Sequence, residues 1–496
     1  MNYSKMTRRE FTAAAAITSA ATGLSLFTGC SSNAFSFGKS GKRPNFVFIM
    51  TDDQKWDAVG FEDEYPFLKT PQLDKIASEG AVFKNAFVTT ALCSPSRATC
   101  LTGLYAHDSG VPVNEIADHR LDVPSLQRTL RQNGYEVAFI GKWHQRLHAR
   151  PRPDFDYWLS FRGQGQYYDP ELNENGREFE AKGYITDILT DHAQSWIEEK
   201  RDKSKPFCLF LWHKAVHAPF EPAPEDENLY ADDLIPEPAN YHDDYADKGS
   251  WLRRASTYGV HRDAYMKSKG KPTPDKTPPA KKWTGKEKAW MDYLKTISSV
   301  DRNTGRLYDK LKSLDILDDT FFMFTSDNGY LLGNHHSVSD KRIMWEESIK
   351  VPLIIRYPRL ISAGTKIDKM VLNVDFAPTF IDLAGAKVPQ TMQGESFVPL
   401  LRGRTRGWRK DFLYEYFREG YAPGIPSVVG IRTERYKLVD YPELEGNNEM
   451  YDLKNDPLEL TNLYYKEEYA GVRERLSKRL EELKRQTDYK VPDYPF

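Results

Sequence analysis

The stretch Asn45-Phe46-Val47-Phe48-Ile49-Met50-Thr51-Asp52-Asp53 decides the fold. Its apolar run reads as a strand buried on both faces, the pattern of a parallel sheet, and it delivers two carboxylates at its C-terminal end. Three later segments repeat the theme. A helix-like Ser125 to Asn133 leads to a strand-like Tyr135 to Ile140 that ends at Gly141-Lys142-Trp143-His144. Ile185 to Glu199 leads to Pro206 to Trp212, ending at His213-Lys214-Ala215-Val216-His217. Ala289 to Leu314 leads to Thr320 to Thr325, ending at Ser326-Asp327-Asn328-Gly329. Apolar strands each preceded by a helix predict an α/β fold with a mostly parallel central sheet flanked by helices. Ligands of such sheets gather beyond the carboxyl ends of the strands, so the polar residues there are placed to converge.

Working outward, residues 31–44 read as a Ser/Gly/Lys linker and residues 1–30 as an export signal. Arg8-Arg9-Glu10-Phe11 precedes an Ala/Thr/Ser/Leu stretch, the layout of a twin-arginine leader. It ends Leu26-Phe27-Thr28-Gly29-Cys30, similar to a lipobox whose Cys is lipidated. That predicts an exported protein, periplasmic or at the cell surface, tethered to the membrane at Cys30. No later run reaches the roughly 18 apolar residues of a membrane span. Four Cys in an exported chain invite pairing, but Cys100, in a presumed helix, and Cys208, in the apolar run Pro206 to Trp212, read as buried free thiols.

Another buried strand is predicted at Val351 to Pro358. The region from Glu221 to Lys288 is charged, Pro-rich and aperiodic, and reads as long loops beside a cleft; Lys267 to Lys282 within it reads as disordered. Near Arg402 the pattern changes to short strands at Phe412 to Phe417, Val428 to Arg432 and Tyr436 to Tyr441, then an amphipathic helix from Tyr469 to Arg485. The expected division is therefore a catalytic α/β domain at 45–400 and a smaller antiparallel sheet plus helix at 401–496. A formal charge of -2 over 496 residues excludes the basic bias expected of a nucleic-acid partner. With 28 Tyr and 10 Trp, the chain has rings to spare as stacking platforms for sugars, although most must simply pack.

Asp52, Asp53, Asp327 and Asn328 are hard oxygen ligands of the kind Ca²⁺ takes, with Mg²⁺ as the stricter alternative. Taken singly, the first pair also reads as a cap and Asp327-Asn328-Gly329 as a plain turn. Two apolar strands that both end in such pairs favour a ligand set. His144 and His217 suit acid/base work because an ordinary imidazole titrates near working pH.

The run Cys93-Ser94-Pro95-Ser96-Arg97-Ala98-Thr99-Cys100-Leu101-Thr102-Gly103 gives these residues their company. A Cys two residues before Pro and four before Arg, opening a helix, resembles the signature of type I sulfatases, of the alkaline phosphatase superfamily. The resemblance extends from Asn45 to Tyr465 and includes Gly430 to Leu438 and Met450 to Pro457. It implies an alkaline-phosphatase-like fold and oxidation of Cys93 by a formylglycine-generating maturation enzyme. It also implies that Asp52, Asp53, Asp327 and Asn328 hold the metal, which contacts the formylglycine at Cys93. Arg97 would hold the hydrated aldehyde, and Lys142 and Lys341 would bind sulfate. His144 would help release sulfate, and His217 would protonate the leaving oxygen. His335 is a candidate for substrate contact. The run from Asp327 to Lys341 departs from the family pattern at Asn334 and by one extra residue before Asp340-Lys341.

The activity so implied is hydrolysis of sulfate esters on a sulfated carbohydrate. Phe155 to Trp158 and Gln164 to Tyr168, before Asn173 to Gly176, resemble N-acetylglucosamine-6-sulfatases and related glycan sulfatases. Marine polysaccharides such as ulvan or carrageenan are an alternative substrate class. A phosphomonoester or phosphonate hydrolase on the same scaffold, and a glycan-binding surface lipoprotein with a decayed site, are the rival functions.

Overall fold

The computed structural model describes residues 42–114, 118–146, 148–255, 285–337 and 340–494. The leader, Cys30 and the Lys267 to Lys282 run lie outside the described residues.

A ten-stranded sheet is built in the order Thr365–Ile367, Ala81–Phe83, Leu353–Arg356, Thr320–Ser326, Asn45–Thr51, Phe207–Trp212, Glu136–Gly141, Tyr157–Ser160, Glu171–Glu174 and Arg177–Glu180. The four predicted strands form its centre and are mutually parallel. Their register fixes the site: Thr51 lies opposite Ser326, Met50 opposite Trp212, and Gly141 opposite Trp212. Every polar strand end therefore leaves the sheet at one edge. The Val351 to Pro358 strand is found as Leu353–Arg356, running antiparallel to Thr320–Ser326. The outer hairpin Glu171–Glu174 and Arg177–Glu180 is antiparallel as well. The sheet is thus mixed, with a parallel centre.

Alternation along the first strand divides the core. Phe46, Phe48 and Met50 face one side, where Phe380 packs on Phe46 and Phe48 at ring separations of 5.0 and 5.5 Å. Val47 and Ile49 face the other, with Tyr293, Leu294 and Ile297 of the Gly285–Ser313 helix. That helix starts inside the segment expected to be loop, and a short helix, Ser250–Ala255, precedes it.

Four antiparallel strands, Asp411–Tyr416, Val428–Thr433, Tyr436–Asp440 and Glu449–Asp452, form a second sheet, followed by the Ala470–Gln486 helix. Phe412, Ile431 and Leu480 of this region share the core of Phe46 and Phe48. Cys100 and Cys208 are buried free thiols, as expected.

Candidate active site

The Cys93–Thr102 helix is buried along its whole length, so its polar side chains depend on partners within the protein. Cys93 opens the helix, and its Sγ lies 3.4 Å from Asp52 Oδ1 and 2.9 Å from Lys341 Nζ. Arg97, one turn on, ties three strand ends together. Its Nε donates to Asp327 Oδ2 at 2.8 Å, Nη1 to the Lys142 carbonyl at 2.7 Å, and Nη2 to Asp52 Oδ2 at 3.2 Å. Such charge-assisted bonds are what makes a fully buried guanidinium tolerable.

Asp52 is also paired with Lys142, and Asp53 with Lys341. Burial would raise Asp52, but Lys142, His217 and Arg97 together hold it well below the ordinary carboxylate range. Asp53, in the left-handed conformation at φ 63°, is pushed up to about 7, because burial with Asp52 and Asp327 nearby outweighs Lys341. Burial and the Asp52 charge also push the Cys93 thiol well up. The encoded side chain is therefore a thiol and not a thiolate nucleophile.

One ligand atom from each of Asp52, Asp53, Cys93 and Asp327 lies within 4.8 Å of the others. Asn328 Nδ2 donates to Asp53 Oδ1 at 2.7 Å, while its buried Oδ1 has no hydrogen-bond partner. Three clustered carboxylates fit a hard divalent cation that would offset their charge, and the neighbouring Asn328 has an unpaired amide oxygen to add to them.

The two histidines flank this group. His217 Nδ1 lies 2.6 Å from the Ala218 carbonyl and so carries the proton of the neutral ring, leaving Nε2 toward Asp53 Oδ2 at 3.7 Å. Burial, then Lys142, lowers its pKa well below the ordinary value. Its side chain is 17% exposed, against 0–2% for Arg97, Lys142, Lys341 and the carboxylates. His217 thus marks the open side of the site. His144, at φ 55°, is buried beside Ser94, and burial and Lys142 lower its pKa in the same way.

Ten of the eleven predicted site residues come together here, Lys341 among them despite the extra residue before it. His335 is placed elsewhere: its ring is buried, stacked on Trp345 at 3.9 Å, with Nδ1 2.7 Å from Asp243 Oδ2. Three neighbours were not singled out from the sequence as site residues. Gln164 touches both Lys142 and His144. Tyr167 donates from its hydroxyl to the His217 carbonyl at 2.8 Å. Lys214 is buried with no hydrogen-bond partner for Nζ, which lies 4.6 Å from the Tyr167 ring centre. The signal for the first was its seat in Gly163-Gln164-Gly165.

A family model described as Sulfatase matches residues 44–386, and one described as N-sulphoglucosamine sulphohydrolase, C-terminal, matches residues 333–486. An N-acetylglucosamine-6-O-sulfatase of Bacteroides thetaiotaomicron is 38% identical, covering 91% of this chain and 88% of the relative. The N-acetylglucosamine-6-sulfatase of Homo sapiens is 29% identical over 89% of this chain and 84% of its own. A solved structure of a protein in complex with its substrate D-glucosamine-2-N,6-O-disulfate superposes with a TM-score of 0.80 at 35% identity, covering 91% of this chain and 99% of that one. The chain belongs to the sulfatase family and is a sulfuric ester hydrolase. That family generally uses a formylglycine and a divalent metal. Among the described residues, no helix is long and apolar enough to cross a membrane.

Proposed function

We propose that this chain hydrolyses a sulfate ester on a sulfated glucosamine of a glycan, with formylglycine made from Cys93 as nucleophile and Ca²⁺, or alternatively Mg²⁺, held by Asp52, Asp53, Asp327 and Asn328. The observation that carries the reading is the seat of Cys93, at hydrogen-bond distance from Lys341 and in contact with Asp52 inside the carboxylate cluster. The names of the relatives and the bound substrate of the 35%-identical structure support glucosamine as the sugar.

A hydrated aldehyde at Cys93 supplies two hydroxyls on one carbon, and the metal supplies charge that favours ionisation of one of them and draws the sulfate in. The chain's own residues do the rest. Lys341 and Lys142, which stand beside Asp53 and Asp52, would neutralise charge on the sulfuryl oxygens. Arg97 keeps Asp52, Asp327 and the Lys142 backbone in register. His217 Nε2 faces the open side, where the sugar oxygen departs. The negative charge of a bound sulfate ester favours the imidazolium there, which then protonates that oxygen as its bond to sulfur breaks. His144 takes a proton from the remaining hydroxyl so that sulfate can leave. The sum is R–O–SO₃⁻ plus water giving R–OH and HSO₄⁻.

We assign catalysis to residues 45–400 and read 401–496 as a subdomain that closes the core beneath the site. From the leader sequence we also propose export, conversion of Cys93 by a maturation enzyme, and tethering at Cys30.

The test joins two measurements. Protein from a host competent in formylglycine formation is digested, and the Cys93 peptide is weighed. The same protein is assayed against glucosamines sulfated at N-2, O-3 or O-6, alone and within oligosaccharides. An aldehyde at Cys93 with turnover of one defined glucosamine sulfate is expected. An unmodified thiol in active enzyme, or turnover only of other sugars, refutes the corresponding part of the reading.

A further inference from the structure

We propose that Tyr168 is a stacking platform for the sugar linked to the sulfated glucosamine, and that the Glu221 carboxylate beside it selects an uncharged sugar there. The inference rests on the glucosamine reading above and extends it to the neighbouring unit of the glycan. His217 marks the open side of the site, and the chain leaving it, through exposed Pro219 and Glu221, forms the rim of that side. Three tyrosines hold this rim by its backbone. Tyr167 donates to the His217 carbonyl at 2.8 Å, Tyr184 to the Glu221 carbonyl at 3.0 Å, and Tyr168 to the Pro222 carbonyl at 2.5 Å.

The three rings are not equivalent. Tyr167 and Tyr184 are buried, and they stack on each other at a ring separation of 5.7 Å. Tyr168, by contrast, is 41% exposed. Its hydroxyl is pinned at Pro222, and an edge-to-face contact with Tyr184 at 5.4 Å holds its ring. A ring immobilised before its ligand arrives loses little freedom on binding, so stacking there is cheap. The apolar face of a pyranose is what such a ring takes. Charge then decides which pyranose. Burial, followed by the charges of Glu221 and Glu227, raises the pKa of the Tyr168 phenol, so these carboxylates act at the platform. Glu225 and Asp226 act there more weakly, and both are paired with Arg302. A uronate or a second sulfate stacked on Tyr168 would meet like charge.

Three substrates separate these effects: the glucosamine sulfate that the enzyme turns over, alone, linked to a neutral hexose, and linked to a hexuronate. In the wild type, kcat/KM should be about tenfold higher for the neutral disaccharide than for the single sugar, the size of one good aromatic contact. Tyr168→Ala should bring that ratio close to one, whereas Tyr168→Phe, which keeps the ring, should retain most of it. Glu221→Gln should raise kcat/KM for the hexuronate disaccharide about threefold, as expected for one exposed like charge. Added salt should narrow the preference for the neutral disaccharide in the wild type more than in Glu221→Gln. A tenfold ratio that survives Tyr168→Ala, or one lost equally in Tyr168→Phe, overturns the platform. An unchanged discrimination against hexuronate in Glu221→Gln overturns the charge selection. Turnover of all three substrates at equal kcat/KM overturns the proposal alone, while turnover of none defeats the glucosamine reading and the platform with it.

Discussion

Lys341 Nζ lies 2.9 Å from Cys93 Sγ while it also pairs with Asp53, so one ammonium bridges the residue to be modified and the carboxylate cluster. A cation in that position can meet charge developing on a group attached at Cys93. Replacing it by methionine keeps the stem and removes the charge. Lys341→Met should lose about 10²–10³-fold in kcat, the usual consequence of removing one preorganised donor from developing negative charge. Steady-state kinetics on an aryl sulfate checks this, with circular dichroism as the control for folding. A loss below tenfold would place Lys341 outside the chemistry.

The unpaired Oδ1 of Asn328 and the clustered carboxylates predict that metal stabilises the fold as well as supporting catalysis. An ion that binds only the folded state adds about 4 kcal/mol at a thousandfold excess over its Kd. Exhaustive chelation should therefore lower Tm, and Ca²⁺ should restore it more fully than Mg²⁺. Asn328→Ala should need more Ca²⁺ for the same gain. Identical melting curves with and without both ions would remove the metal assignment.

The central strands and the polar pairs at their ends were legible because each apolar run is long, uninterrupted and preceded by a helix. The parallel register that brings Asp52, Lys142, His217 and Asp327 to one edge follows from that pattern alone. The outer strands were not legible for opposite reasons. Glu449–Asp452 is a buried strand in which Glu449 accepts from the Tyr441 and Tyr451 hydroxyls at 2.9 and 2.6 Å, so its carboxylate disguises it. The Glu171 to Glu180 hairpin did carry a signal, Asn175-Gly176 with both residues at positive φ, but its strands are too polar to show a core face. Gln164 carried only a weak signal, its seat between two glycines, because its contacts with Lys142 and His144 exist only once the chain is folded. His335 was misdirecting, since a histidine near a sulfate-binding lysine in sequence turns instead to Asp243 and Trp345.

His217 on the open side of the site should reveal itself through the leaving group. A general acid contributes about 10²–10⁴-fold, but only where the departing oxygen needs a proton. Phenolates leave readily and sugar alkoxides do not. His217→Ala should therefore slow a glucosamine sulfate far more than a nitrophenyl sulfate, whereas His144→Ala should slow both to a similar degree. Equal losses on the two substrates in His217→Ala would leave that residue a binding role only.

Lys214 gives a prediction about stability. Its ammonium is buried without a hydrogen-bond partner, and burial, with Lys142 nearby, brings its pKa down from 10.5 to about 8. Between those two values the unfolded chain holds a proton that the folded chain has released, so this group makes stability rise with pH there. Below pH 8 the ammonium is charged in both states and the full cost, roughly 3 kcal/mol for such a shift, is present. Lys214→Met removes the charge and keeps the stem on Tyr167, at the loss of a cation–π contact of about 1–2 kcal/mol. The variant should be more stable than the wild type by about 1–2 kcal/mol at pH 7, and its advantage should shrink as pH rises from 8 toward 10.5. Urea unfolding of the two proteins across that range measures the difference directly. A less stable variant at pH 7, or a difference that does not vary with pH, would mean that the ammonium has a partner in solution.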